Sequence, residues 1–487
     1  MAGRYATNAK YKEKTRGMRE LVNMKKVFFS IVKEDLKNLG KIVFNVKNAR
    51  RVFGSVPFMI VETLLSILIV ALGQEVFGAV LFVGLISLKL LVCDDVLPTT
   101  LPFLLLCSFV TNCYDSFNTF IGYAVYAPVV VLCVIYHFIA YAKPMRTGES
   151  VYGILAVTAA VMLGGIGNFS VMEYAYGSYY ILGLGAGMLV AYYLMKSQFS
   201  VRRKYDIRKR FALIMTLMGV LCTAIVVIGY IRVSLDAVFG HYTTAFSRNN
   251  ISTMLMFAMP FPLYLSGKGN RFWAVFTAIF VAAICATTSR GGLLFGGVEC
   301  LVCCAYWIFT GKHKLWRALF CAAGIAFIIA CSGEVMKQVF EDRLTGDVIE
   351  GDARYKMIWE AFARFKENPF VGSGILDDTI TYGGFNKKGT MAWYHMMIPQ
   401  IIGSMGLLGV AAYGFQAFMR GKAVFTSKNK WSLCLGISYL GILMMSQVNP
   451  GEFCPLPFEL LTVLLFILQE RRLEEFSLPV AQEYWER

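Results

Sequence analysis

The sequence predicts an all-α, polytopic integral membrane protein with about 12–14 transmembrane helices and a large extracytoplasmic loop containing an amphipathic helix. Composition is the first reason: 57% of the 487 residues are apolar, 14% are aromatic, and the mean hydropathy is +0.58. Length is the second, because apolar runs recur at the size needed to cross a hydrocarbon core roughly 30 Å thick. Continuity is the third. Runs such as 211–231 and 396–418 carry none of the alternation that a spanning barrel requires.

Residues 1–52 hold about fourteen Lys and Arg and no apolar core followed by a small-residue cleavage site, so they read as a basic cytoplasmic arm and not as a removable signal. Within the arm, Val27 to Phe44 has loosely helical apolar spacing and suits an interfacial helix on the inner leaflet. The transmembrane domain covers 53–470. Its spans are expected near 57–73, 76–92, 97–112, 118–142, 151–167, 175–195, 211–231, 250–266, 272–288, 292–310, 317–331, 396–418, 431–447 and 455–469. A cytoplasmic tail, 471–487, follows.

With the N-terminus inside, every strongly basic short connector falls on the same side: Lys143 to Arg146, Arg202 to Lys204 with Arg208 to Arg210, Lys268 to Arg271, Lys312 to Arg317, Arg420 to Lys430, and Arg471-Arg472. About 35 of the 47 Lys and Arg then lie inside. Lys89, near the inner end of the second span, is expected to snorkel. The net charge of +16 therefore reports topology and contact with anionic membrane lipids, and no nucleic-acid partner is implied.

The thirteen cysteines are scattered through spans, and Cys300, Cys303 and Cys304 lack polar neighbours that would complete a metal site, so they read as small packing residues. No P-loop, dinucleotide fingerprint or zinc-helix motif is present. No cofactor is expected, and energy for a reaction must arrive with the substrate.

The loop over 332–395 carries eight basic and ten acidic residues, nearly neutral beside the basic connectors. Asp352 can cap a helix with apolar positions at Tyr355, Ile358, Trp359, Phe362 and Phe365, which would lie against the membrane or the bundle. Asn368-Pro369 ends it, and Gly372-Ser373-Gly374 supplies a turn. Arg354 stands in the first turn, where the helix dipole disfavours a cation; a salt bridge to Asp347, Glu350 or Asp352 is the plain explanation. His395 sits where the loop enters the next span, suited to an uncharged imidazole or simply to the interface. Arg290 lies between Thr287-Thr288-Ser289 and Gly291-Gly292, which admit close approach to the backbone; alone it reads as an interfacial arginine. Taken together, two guanidinium forks and an imidazole on one side suit a site that holds a diphosphate and deprotonates a hydroxyl without a metal.

At these residues the chain resembles the bacterial O-antigen ligase and polymerase superfamily. The resemblance rests on Thr288-Ser289-Arg290-Gly291-Gly292-Leu293-Leu294, on Arg354 with Trp359 and Asn368-Pro369-Phe370-Val371-Gly372-Ser373-Gly374, and on His395 with Gly403 and Gly406-Leu407-Leu408-Gly409. Ser247-Arg248-Asn249-Asn250, opening a span with Pro260 and Pro262, resembles the family's asparagine-bearing segment. The family often has Asn after the loop histidine, where this chain has Met396.

The resemblance implies glycosyl transfer at the outer face of the bacterial cytoplasmic membrane. The donor is a polyprenyl-diphosphate-linked glycan; the acceptor hydroxyl belongs to a glycan, a lipid, a wall polymer or a protein, and ligase and polymerase share this donor chemistry. Arg290 and Arg354 would bind the diphosphate, His395 would be the general base, and Arg248, Asn250, Ser289 and Gly291 would support them. Asp377-Asp378 is the nearest carboxylate pair that could argue for a metal. A transporter or flippase is the alternative, with Glu299 near mid-membrane as its functional residue.

Overall fold

The computed structural model describes residues 46–112, 127–141, 147–167, 175–199, 206–239, 247–267, 270–341, 353–375, 394–427, 429–449 and 451–476. Among them the regular structure is entirely helical: α1 Val46–Phe53, α2 Val56–Ala71, α3 Glu75–Val92, α4 Leu97–Asn112, α5 Ala127–Tyr141, α6 Ser150–Gly167, α7 Ala175–Leu182, α8 Met188–Phe199 and α9 Ile207–Phe239. The second half comprises α10 Arg248–Ala258, α11 Pro260–Ser266, α12 Ala274–Ala286, α13 Arg290–Thr310, α14 Lys314–Glu341, α15 Ala353–Glu367, α16 Met397–Thr426, α17 Lys430–Met445 and α18 Leu460–Phe476. Each of the fourteen apolar runs contains a helix. Among the described residues, six helices are long and apolar enough to cross a membrane and five shorter ones are comparably apolar, so the chain is a multi-pass membrane protein. The interfacial helix expected over Val27 to Phe44 lies outside the described residues.

The long α9 is the trunk of the bundle. Its Phe211, Met215, Met218 and Cys222 are fully buried, against α4 on one flank and α10, α11 and α12 on the other. Helices α10, α12, α13 and α17 pack on one another, α6 packs along α16, and α15 lies on α16. Helix α14 continues past Ser332, where the loop was expected to begin, to Glu341.

Breaks in the helices follow from their residues. The run with Pro260 and Pro262 divides into α10 and α11 at Met259, because a proline lacks the N–H that an uninterrupted helix needs. Helix α16 kinks at Gly406, whose φ of 57° is left-handed. Pro369 O and Phe370 O accept the N–H groups of Leu407 and Leu408 at 2.8 and 3.0 Å, so the segment after α15 plugs into the kink. A Cβ at Gly406 would lie 2.5 Å from Pro369 O, which leaves glycine as the residue that fits.

Lys89 corrects its sequence reading. Instead of snorkelling it is fully buried, ion-paired with Glu62 of α2 and donating to Pro98 O at 2.7 Å. An acidic partner inside the bundle holds the ammonium there, which the spacing along α3 alone did not reveal.

Candidate active site

Four helix starts carry the residues singled out from the sequence. Helix α10 opens with Arg248 and α13 with Arg290; Arg354 is the second residue of α15, and α16 begins two residues after His395. None of the four has an acidic residue in its first turn. A helix N-terminus is equivalent to about half a positive charge, and a cation there costs about 0.3–1 kcal/mol. Three arginines so placed cost roughly 1–3 kcal/mol in sum. An anion near a helix start reverses the sign of that interaction.

The start of α13 is fastened from below. The Ser289 hydroxyl accepts from Gly292 N at 3.2 Å as an N-cap and donates to Asn249 Oδ1 at 2.8 Å. The hydroxyls of Thr287 and Ser252 stand 2.7 Å apart. Gly291 and Gly292 are buried because neighbours occupy the space a side chain would need: an added Cβ on Gly292 would lie 2.7 Å from Ser252 Oγ, and one on Gly291 would overlap Val448. The close approach expected of these glycines is therefore made, by α10 and by the connector after α17. Between the capping serine and α12, Thr288 has φ 54°, a conformation that a β-branched residue rarely adopts.

The connector from α17 to α18 joins the pieces. Asn449 donates from Nδ2 to Asn250 Oδ1 at 3.1 Å, and Ser446 O accepts Met397 N–H at 2.8 Å. A continuous set of contacts thus runs from Arg290 through Ser289 and Asn249 to α10, through Asn250 to Asn449, and through Ser446 to the start of α16 beside His395. Asn449 was missed in the sequence reading. Its signal was a polar stretch, Ser446-Gln447-Val448-Asn449-Pro450-Gly451-Glu452, between two apolar runs. Where the family often has asparagine after the histidine, Met396 is buried, and carboxamides at this end of the bundle come from Asn249, Asn250 and Asn449.

His395 also has φ 54°, so two of the three non-glycine residues with positive φ among the described residues flank this site. Such strain persists where surrounding contacts enforce it and clusters at functional sites. Here Gln400 Oε1 accepts Tyr394 N–H at 3.1 Å, while Gln400 Nε2 donates to Ser404 Oγ at 3.0 Å. Tyr394 is buried with Met357 and Ala361 of α15, and burial pushes its phenol up, so it stays protonated and does not compete as a base. This packing sets the first turns of α15 near the approach to α16. The side chain of Arg354 lies outside the described residues, as do Asp347, Glu350, Asp352, Asp377 and Asp378.

The buried face of α15 differs from the stripe read as its apolar face. Met357 and Ala361 pack inward, whereas Tyr355, Trp359 and Phe362 are 42%, 59% and 43% exposed and follow one another along the outside. Arg248 and Arg290 are exposed, Ser289 is buried, and His395 is half-buried.

The described residues define a multi-pass membrane protein in which the starts of α10, α13 and α16 are tied to one another through Ser289, Asn249, Asn250, Asn449 and Ser446. Residues 275–414 match the family model described as O-antigen ligase, and the superfamily resemblance is borne out. The Thr288–Leu294, Arg354–Gly374 and His395–Gly409 elements fall inside the match; Arg248 and Asn250 precede it. No curated protein and no solved structure matches the chain at a significant level. The match supports, at family level, an O-antigen ligase-type membrane glycosyltransferase, a family that acts on a lipid-linked glycan and an acceptor.

Proposed function

We propose that the protein transfers a glycan from a polyprenyl diphosphate to an acceptor hydroxyl at the outer face of the bacterial cytoplasmic membrane. The observation that carries this reading is the set of three arginines in helix first turns that contain no acid, with a histidine two residues before the start of α16. Arg290 and Arg354 grip the diphosphate and offset the charge that develops as it leaves, work that a divalent ion does in many transferases. Arg248 adds a third cation. His395 takes the proton of the attacking hydroxyl. Direct attack inverts the anomeric centre. The exposed Tyr355, Trp359 and Phe362 suit α15 to the membrane interface, where aromatic rings concentrate, beside the path of a lipid-linked donor.

Orientation follows from the basic connectors: both termini, the arm 1–52 and the tail 471–487 lie inside, and the 332–395 segment outside. Cysteines introduced beside Arg290 are expected to react with an impermeant maleimide on intact cells, and those beside Lys314 only after permeabilisation. Labelling with the opposite sidedness overturns the assignment.

The chemistry is tested with purified protein, a polyprenyl-diphosphate-linked donor and a candidate acceptor. Transfer is expected to persist in excess chelator, because guanidinium groups replace the metal. Transfer abolished by chelator and restored by a divalent ion overturns that mechanism.

Glu299 favours the transporter alternative. It is fully buried in α13 against Gly441 of α17, and neither carboxylate oxygen has a hydrogen-bond partner among the described residues. Glu299→Gln is expected to leave transfer within a few-fold of the native rate; a Glu299 requirement with Arg290 and Arg354 dispensable would select transport.

A further inference from the structure

Arg420 lies deep in the bundle, far along α16 from His395, and is 2% exposed. Its guanidinium carbon stands 5.6 Å from the ring of Tyr439, in the middle of α17, and 5.4 Å from that of Phe466 of α18. Nη1 donates to Glu452 Oε1 at 2.8 Å, Nη2 donates to Glu459 Oε1 at 2.6 Å, and Gln416 Nε2 reaches Glu459 Oε1 at 3.4 Å. Glu459 belongs to the turn that opens α18. Glu452 does not: it belongs to the same 446–453 connector that carries Asn449, and it points back into the bundle to meet the arginine.

The connector is tied at both levels through one residue. Glu452 N–H donates to Ser446 Oγ at 3.1 Å, while the Ser446 carbonyl accepts Met397 N–H. Three residues on, Asn449 donates to Asn250. A charge in the membrane interior is expensive and is retained where it is paired and useful. This one is paired with the strap that joins the starts of α10 and α16.

We infer that Arg420 and Glu452 are positioning residues for the outer site: their buried ion pair holds the 446–453 connector down, and the connector sets the first turn that carries Arg248 and Asn250 and the start of α16, which follows His395. The inference deepens the glycosyl-transfer reading and rests on it for its effect on rate, but not for its effect on structure. The pair touches no substrate. It acts through Ser446 and Asn449.

The two consequences separate by measurement. In Glu452→Gln the arginine keeps Glu459 but loses its charged tie to the connector. Amide hydrogen exchange in peptides covering 394–400 and 247–252 is expected to speed up by about tenfold or more, as a local opening becomes easier. Peptides from the middle of α9 should be unchanged. Ser446→Ala, which removes the hydroxyl that receives Glu452 N–H and leaves the carbonyl in place, is expected to do the same without disturbing a buried charge. In the transfer assay both variants should lose about 10–10² in kcat, the scale set by a small misplacement of reacting groups, with the donor's KM nearly unchanged. Asn449→Ala combined with Ser446→Ala should cost little more than the larger single effect, because both break one connection.

Unchanged exchange at 394–400 and 247–252 in folded Glu452→Gln and Ser446→Ala overturns the positioning role, whatever the activity. Faster exchange at every helix overturns it too, since the pair would then be a general stabiliser. If exchange changes as stated but the native protein transfers no glycan from any polyprenyl-diphosphate donor, the functional reading falls and the brace stands.

Discussion

Replacing His395 with alanine is expected to lower glycan transfer by about 10²–10⁴-fold, the usual contribution of a positioned general base. Stability should change little, because the side chain is half-buried, its neighbour Tyr394 supplies the packing, and the start of α16 is held by Gln400 and Ser446 through other residues. The left-handed backbone at this position calls for a second variant, His395→Asn. Asparagine tolerates φ near 54° better than most residues and has no basic nitrogen, so it preserves the turn while removing the chemistry. Both variants should bind donor and fail to transfer it. Near-native transfer by His395→Asn would show that the position matters for its backbone alone.

Arg290→Lys is the second large effect. The residue opens α13 in a first turn with no acid, and it is exposed. Lysine keeps the charge but not the planar fork that engages two phosphate oxygens at once. Arg290→Ala should cost about 10²–10³-fold in kcat, as for loss of one donor to a developing anion, and Arg290→Lys should recover only part of that. A lysine variant with full activity would reduce the role of Arg290 to attraction at a distance; its rate would then depend steeply on salt, which the native enzyme's should not.

The helices were legible because apolar runs have the length of a membrane and because Asn368-Pro369 ends one by a local rule, whereas the run 250–266 was read as one span and divides at Met259. Arg290, Arg354 and His395 stood out for a related reason: each sits at a boundary that local sequence marks. The connections among them were not legible. Asn449 reaches Asn250 across 199 positions, Glu452 meets Arg420 through the bundle interior, and Lys89 finds Glu62 on another helix; no periodicity along one segment encodes such pairings. The choice between membrane and bundle for the aromatic stripe of α15 was left open for a different reason. Its Met357 and Ala361 form a narrow inward face, while the conspicuous aromatic stripe suits a surrounding that is itself apolar, so hydrophobicity does not distinguish inside from outside there.

The proposed anion site is built from helix starts, and that has a consequence for how such a protein diverges. The backbone N–H groups of α10, α13 and α16 belong to the chain whatever side chains follow, and their placement rests on a few small or polar residues: Ser252, Ser289, Gly291, Gly292 and Ser446. The lipid-facing remainder has only to stay apolar and helical, so one Leu, Ile, Val or Phe can replace another over generations with little effect on the chemistry. A lineage of this kind loses overall sequence similarity quickly while a short central stretch stays recognisable.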